Sequence, residues 1–66
     1  MEKLKLKDVI KQYQTKNNLN NAQFAVLVGV TGRAIRWYLD ELEKPSQRTL
    51  NMISKVTGVD IDKIEV

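Results

Sequence analysis

The sequence predicts an all-α fold, a bundle of four to five short helices spanning residues 1–66 as a single domain. Three observations predict it. Apolar residues recur at helical spacing along most of the chain. The breaks between these stretches are short and carry Gly, Asn, Pro or Ser, which stop and start helices. At 66 residues and 7.6 kDa the chain has room for one small core, and a domain of that size buries only about 60% of its unfolded surface.

Each element follows from local residues. Leu6, Val9, Ile10 and Tyr13 are spaced i, i+3, i+4, i+7 and make the apolar stripe of a first helix. Thr15-Lys16-Asn17-Asn18 is polar and poor in helix formers, so that helix ends there. Asn20 or Asn21 caps a second helix, with Leu19 placed to staple onto Phe24. Phe24, Ala25 and Val28 form its inner face, and Gly29 ends it by taking the left-handed conformation. Thr31 caps a third helix from about Gly32 to Leu39. Ile35, Tyr38, Leu39 and Leu42 are its expected inward positions. Residues 40–44 read as a charged connection. Pro45-Ser46 starts a fourth helix to about Thr57, with Leu50, Ile53 and Val56 or Thr57 inside. Gly58 stops it, and Asp60 or Asp62 caps a last turn carrying Ile61 and Ile64. No strand is expected.

Composition excludes several function classes. Hydrophobic residues are 42% and charged residues 29%, an ordinary globular balance. No apolar run reaches the roughly 18 residues of a membrane span, and the N-terminus lacks the apolar core of a signal peptide. A cytoplasmic setting is the expectation. There is no Cys and no His. The chain therefore lacks thiolate chemistry, the usual general base and the usual zinc ligands. An enzyme is not expected, nor a cofactor or a metal. Asp60 and Asp62 do not make a calcium loop, since its Gly and most of its ligands are missing.

The charge is uneven. Residues 1–39 hold seven basic and two acidic side chains; residues 40–66 hold four and six. A basic half on a small domain suits a polyanion, or simply a solvated Lys-rich helix.

The central unit is helix 21–28, a turn containing Gly29, and helix 32–39. Ala25 suits the point where two such helices cross, Val30 the apolar position after the turn, and Ile35 the inner position of the second helix. Residues Leu19-Asn20-Asn21-Ala22-Gln23-Phe24-Ala25, then Gly29-Val30-Thr31, then Ile35 resemble the helix-turn-helix of phage repressor and Cro proteins, the lambda repressor-like family. Pro45-Ser46, Thr49-Leu50, Ile53 and Gly58-Val59 resemble the rest of that domain. The resemblance covers roughly residues 4–64. It implies an all-α bundle that binds operator DNA, usually as a dimer, within a bacterial or phage-infected cell. With no separate ligand domain in the sequence, the chain is closer to Cro than to a full-length repressor.

Specific side chains follow. With Ile35 inward, the opposite side of the third helix carries Gly32, Arg33, Arg36 and Trp37. Arg33, near the helix N-terminus, can grip both guanine acceptors in the major groove. Arg36 reads a base or holds a phosphate. Gly32 allows close backbone approach, and Thr31 caps the helix and can touch a phosphate or a thymine methyl. Trp37 packs on DNA, folds back over the first helix, or meets a protein. The resemblance points to phosphate contacts at Asn21 and, before and at the start of the fourth helix, at Lys44, Gln47 and Arg48.

The sequence departs from the family pattern in four places. Leu39 stands where many members carry a Glu paired with an Arg of the first helix, and Gln14 lies near the matching position. Glu41 stands where Gly is common, which implies a different loop shape or a longer third helix. Asp40, Glu41 and Glu43 bring acids toward the expected DNA backbone. Val26 and Leu27 are apolar at expected surface positions. They are scattered surface residues, or with Trp37 they form a surface for a protein partner. The expectation is a homodimeric, sequence-specific repressor that joins through the fourth helix, its preceding loop and Ile61, Ile64 and Val66. The alternative is a protein-binding module on the same scaffold, an anti-repressor or antitoxin-like partner.

Overall fold

The computed structural model describes residues 3–66. The order is β1 (Leu4–Lys5), α1 (Leu6–Asn17), α2 (Asn21–Val28), α3 (Gly32–Leu39), α4 (Gln47–Thr57), a 3-10 turn (Ile61–Lys63) and β2 (Ile64–Glu65). The fold is a small all-α bundle in which one tiny strand pair ties the two ends together.

The caps explain the boundaries. Asn20, rather than Asn21, caps α2. Its side-chain oxygen accepts the Gln23 N–H at 2.8 Å, and the Gln23 side chain accepts the Asn20 N–H at 2.9 Å. This reciprocal box satisfies two donors that a bare helix start leaves free. Thr31 Oγ1 accepts the Ala34 N–H at 3.1 Å to start α3, and Ser46 Oγ accepts the Thr49 N–H at 3.3 Å to start α4.

Three helices end on a left-handed residue followed by the same long reversed bond, and α1 and α3 add the shorter one. At the end of α1, Asn18 is left-handed (φ 54°), and the Leu19 N–H donates to the Gln14 carbonyl at 2.8 Å. At the end of α2, Gly29 is left-handed (φ 76°), and the Val30 N–H donates to the Ala25 carbonyl at 3.0 Å. At the end of α3, Glu41 is left-handed (φ 60°). There the Glu41 N–H donates to the Tyr38 carbonyl at 3.2 Å and the Leu42 N–H to the Trp37 carbonyl at 2.9 Å. This pair of reversed bonds is the Schellman arrangement, which favours Gly at its left-handed residue.

The core draws Val9 and Ile10 from α1, Phe24 and Ala25 from α2, Ile35 from α3 and Ile53 from α4. Tyr13 packs on Phe24 with ring centroids 5.7 Å apart and a 57° tilt, the offset geometry that aromatic rings prefer. No charged residue is buried among those described.

Four expectations change. A strand pair exists: β1 and β2 run parallel, with Leu4 opposite Ile64 and Lys5 opposite Glu65. Ile64 is buried, and seating it beside Leu4 brings the two extended ends into ladder register. Leu42 does not face inward; it is 72% exposed. Helix α3 stops at Leu39 and Glu41 turns left-handed, so the 3.6-residue period no longer carries to Leu42. Helix α3 is therefore not extended, and the loop takes the glycine-type turn with a glutamate in it. Asp60 precedes the last turn but makes no side-chain cap. That turn is a single 3-10 turn, so the helical count is four α-helices plus this turn.

Candidate functional site

Helices α2 and α3 meet at their N-terminal ends. A Cβ added at Gly32 would lie 3.4 Å from Ala22 Cα and 3.5 Å from Ala22 N. The start of α3 thus lies against the start of α2, with room at 32 for a Cβ at ordinary van der Waals distance. Two helix N-termini, each with its positive dipole end, come together there. Asn21 and Arg33 follow these two starts in sequence.

The faces of α3 are cleanly separated. Ile35 and Tyr38 are buried, and Ala34 and Leu39 pack against the core from half-buried positions. Arg33, Arg36, Trp37 and Asp40 are all exposed and are spaced i, i+3, i+4, i+7, so they form one outward stripe. Arg33 has no carboxylate partner among the described residues. Arg36 Nε lies 3.8 Å from Asp40 Oδ2, with the two side chains 76% and 53% exposed. Asp40 is the member of this stripe that the sequence reading assigned to the connecting loop. Its place seven residues after Arg33 was the available signal.

Trp37 is 39% exposed. The Leu42 N–H bond to its carbonyl places Leu42 beside it, the pairing that often accompanies this helix end. Val26 is 79% exposed on α2 and Leu27 is 43% exposed, as expected of surface positions.

The remaining positions divide into two groups. Arg48 lines a groove with Val28, Gly29, Thr49 and Met52, so the start of α4 stands beside the turn between α2 and α3. Gln47 is exposed, and its Nε2 donates to Asn51 Oδ1 at 3.0 Å. Thr31 is exposed, with its oxygen engaged in the α3 cap. Asn21 is half-buried; its Oδ1 accepts Gln14 Nε2 at 2.8 Å. That bond ties the end of α1 to the start of α2 and leaves the Asn21 Nδ2 donor available. It also answers the missing ion pair: Gln14 bonds to Asn21, and Leu39 packs on the core instead of pairing.

Lys44 lies elsewhere. It shares a cleft of about 230 Å³ with Lys7, Tyr38, Glu41, Glu43 and Glu65. Lys7 Nζ is 3.8 Å from Glu41 Oε1 in this cleft. Lys44 shares this cleft with three acids, none of them within ion-pair distance of it among the described residues, and the structure does not bring it to the groove of Arg48. Burial pushes the Tyr38 hydroxyl above the ordinary tyrosine value of 10.0, the Glu43 carboxylate adds to the rise, and a hydrogen bond with Thr49 opposes it.

The expected joining surface is partly consumed. Ile64 is buried within the single chain and Ile61 packs against the core, while Val66 is half exposed. No described group of His, Cys, Asp or Glu could hold a metal ion, and no described helix is long and apolar enough to cross a membrane.

Comparison with protein-family models, with curated proteins and with solved structures finds no match to this chain.

Proposed function

We propose that this protein is a sequence-specific double-stranded DNA-binding regulator, acting as a homodimer that represses by occupying its operator. The observation that carries the proposal is the outward stripe of α3. Two arginines and a tryptophan stand exposed on a short helix whose other face is locked into the core. Its N-terminus abuts that of the preceding helix across a three-residue turn. A helix presented this way fits the major groove. Arg33, near the start, is placed for a bidentate grip on guanine O6 and N7. Arg36 and Trp37 lie one turn further along. Thr31 and Asn21 stand at the two helix starts with donors for phosphate, and Gln47 and Arg48 extend the positive edge at the start of α4. Lys44 contributes least, since it shares its cleft with three acids.

The absence of His and Cys and the exposed arginines support binding rather than catalysis. The protein measures 31 × 24 × 19 Å. One copy is shorter than a DNA turn of about 34 Å, so it reads one half-site and two copies read a palindrome. The exposed parts of α4, its preceding loop and Val66 are the surface left for joining them.

The test is selection of bound duplexes from random double-stranded DNA near physiological salt, followed by sequencing. Enrichment of a palindrome with half-sites about 10 bp apart is the expected result. Weak binding that vanishes as salt rises, with nothing enriched, overturns the reading. A second reading, a protein-binding module, is favoured by one feature: the large apolar side chains left exposed, Val26 and Leu27 on α2 and Trp37 on α3. Under it, Arg33→Ala removes a protein contact and leaves the weak DNA binding as it was.

A further inference from the structure

We infer that Asp40 is a positioning residue for Arg36 and thereby sets the protein's discrimination among DNA sequences; the inference rests on the DNA-binding reading. Three observations carry it. Asp40 closes the outward stripe of α3, one turn beyond Arg36. It faces the Nε edge of the guanidinium, with Oδ2 at 3.8 Å. At 3.8 Å this is an ion-pair contact and not a hydrogen bond; a carboxylate on the Nε side leaves the two terminal nitrogens free, and these are the pair that matches guanine O6 and N7.

The ion pair has little other purpose. Both side chains are largely exposed, and pairs of this kind contribute little to folding. The order along the helix, with the base first and the acid four residues later, is the weaker of the two orders. A carboxylate at the C-terminal end of α3 also opposes the helix dipole. Asp40 therefore does not earn its place through stability. Beside a polyanion it has two effects. It draws the Nε edge of Arg36 toward its own side and so biases the orientation of the fork, and it subtracts one charge from the attraction to any phosphate backbone. The first raises affinity for the right base. The second lowers affinity for every sequence. Only the first widens the gap between specific and nonspecific binding; the second lowers both together.

The test compares wild type, Asp40→Asn, Arg36→Ala and the double variant on the duplex enriched by selection and on a random duplex of equal length. Melting curves confirm that each variant is folded. Asp40→Asn is expected to tighten random-duplex binding about threefold at low salt and to steepen the log K against log salt slope by about 0.9, one extra counterion released. Affinity for the selected duplex stays level or falls, so the ratio of the two drops about three- to tenfold, within what one base contact provides. In the Arg36→Ala background the same substitution changes the slope but lowers the ratio no further. Equal tightening on both duplexes overturns the inference while leaving the DNA-binding reading intact, since Asp40 is then one unit of net charge. The selection itself is the independent check: if no duplex is enriched, the DNA-binding reading fails and the role of Asp40 with it.

Discussion

Replacing Glu41 with glycine should stabilise the protein, although it deletes an ion pair. Glu41 has φ 60° and is the left-handed residue that ends α3. A side chain with a Cβ costs about 1–2 kcal/mol in that conformation. Glycine removes this strain but makes the unfolded chain more flexible, which returns about 0.5–1 kcal/mol. The Lys7–Glu41 pair is lost as well. At 3.8 Å, with side chains 34% and 59% exposed, such a pair contributes about 0–0.5 kcal/mol. The net expectation is a gain of about 0.5 kcal/mol, or roughly 2–4 °C in Tm for a domain of this size. Glu41→Ala is the partner experiment. It loses the same ion pair and keeps the strained backbone, so it should melt at or below wild type. Urea midpoints with unchanged m-values give the comparison, and the two variants should differ by about 0.75 kcal/mol in favour of glycine, the middle of a range of about 0–1.5 kcal/mol. A Glu41→Gly midpoint at or below that of Glu41→Ala refutes the claim that backbone strain at 41 outweighs its charge contact.

Further predictions concern the proposed interface and its support. Arg33→Ala should weaken binding to a selected duplex by about 1–3 kcal/mol and relax preference at one base pair, whereas Arg48→Ala should weaken all duplexes alike and flatten the salt slope by about 0.9; binding titrations on matched and mismatched duplexes separate them. Gly32→Ala should fold normally or gain up to about 1 kcal/mol from helix propensity, because the added Cβ meets Ala22 only at ordinary contact distance. A Tm at or above wild type with reduced DNA affinity would show that DNA, not the protein, needs glycine there. Tyr38 keeps its proton in the folded state at a pH where the unfolded chain has lost it. Its contribution is therefore fully present below pH 10.0 and is lost as pH rises beyond it. Urea titrations should show wild type losing stability above that pH more steeply than Tyr38→Phe, and parallel losses would count against a raised Tyr38.

The helices were legible because their signals are local. Asn20 with Gln23, Gly29, Thr31, Ser46 and Gly58 each act within a few residues, so cap and terminus can be read from spacing alone. Leu42 was misplaced because the i+7 rule assumes an unbroken helix, and only the left-handed Glu41 breaks it. The β1–β2 pair was invisible for a different reason. Its partners, Leu4 and Ile64, lie at opposite ends of the chain, and two-residue strands leave no periodicity to detect. At the site, the outward residues of α3 followed from placing Ile35 inward. Which cations are free did not follow. That Arg48 sits at the turn while Lys44 sits among acids depends on how α4 packs, and no spacing encodes it.

The arrangement of charge bears on why two copies are needed. Within one copy, Arg36 is shared with Asp40 and Lys7 with Glu41, and Lys44 lies in a cleft with three acids. On the proposed reading the cations that meet DNA are Arg33 and Arg36 on α3 and Arg48 at the start of α4. Three cations seated on the DNA, each displacing about one counterion, give a salt slope near −2.7, or roughly a 40-fold loss between 50 and 200 mM salt. A single copy with so few contacts binds random DNA weakly. Two copies on one palindrome double the slope to about −5 and turn the second binding step into an intramolecular one. The acidic loop after α3 therefore suits a dimeric reader: it suppresses lone copies on random sequence and leaves the paired state, with two sets of α3 side chains in register, as the form that holds. A measured slope near −2.7 on the selected palindrome would contradict this, since it would mean that one copy does the binding.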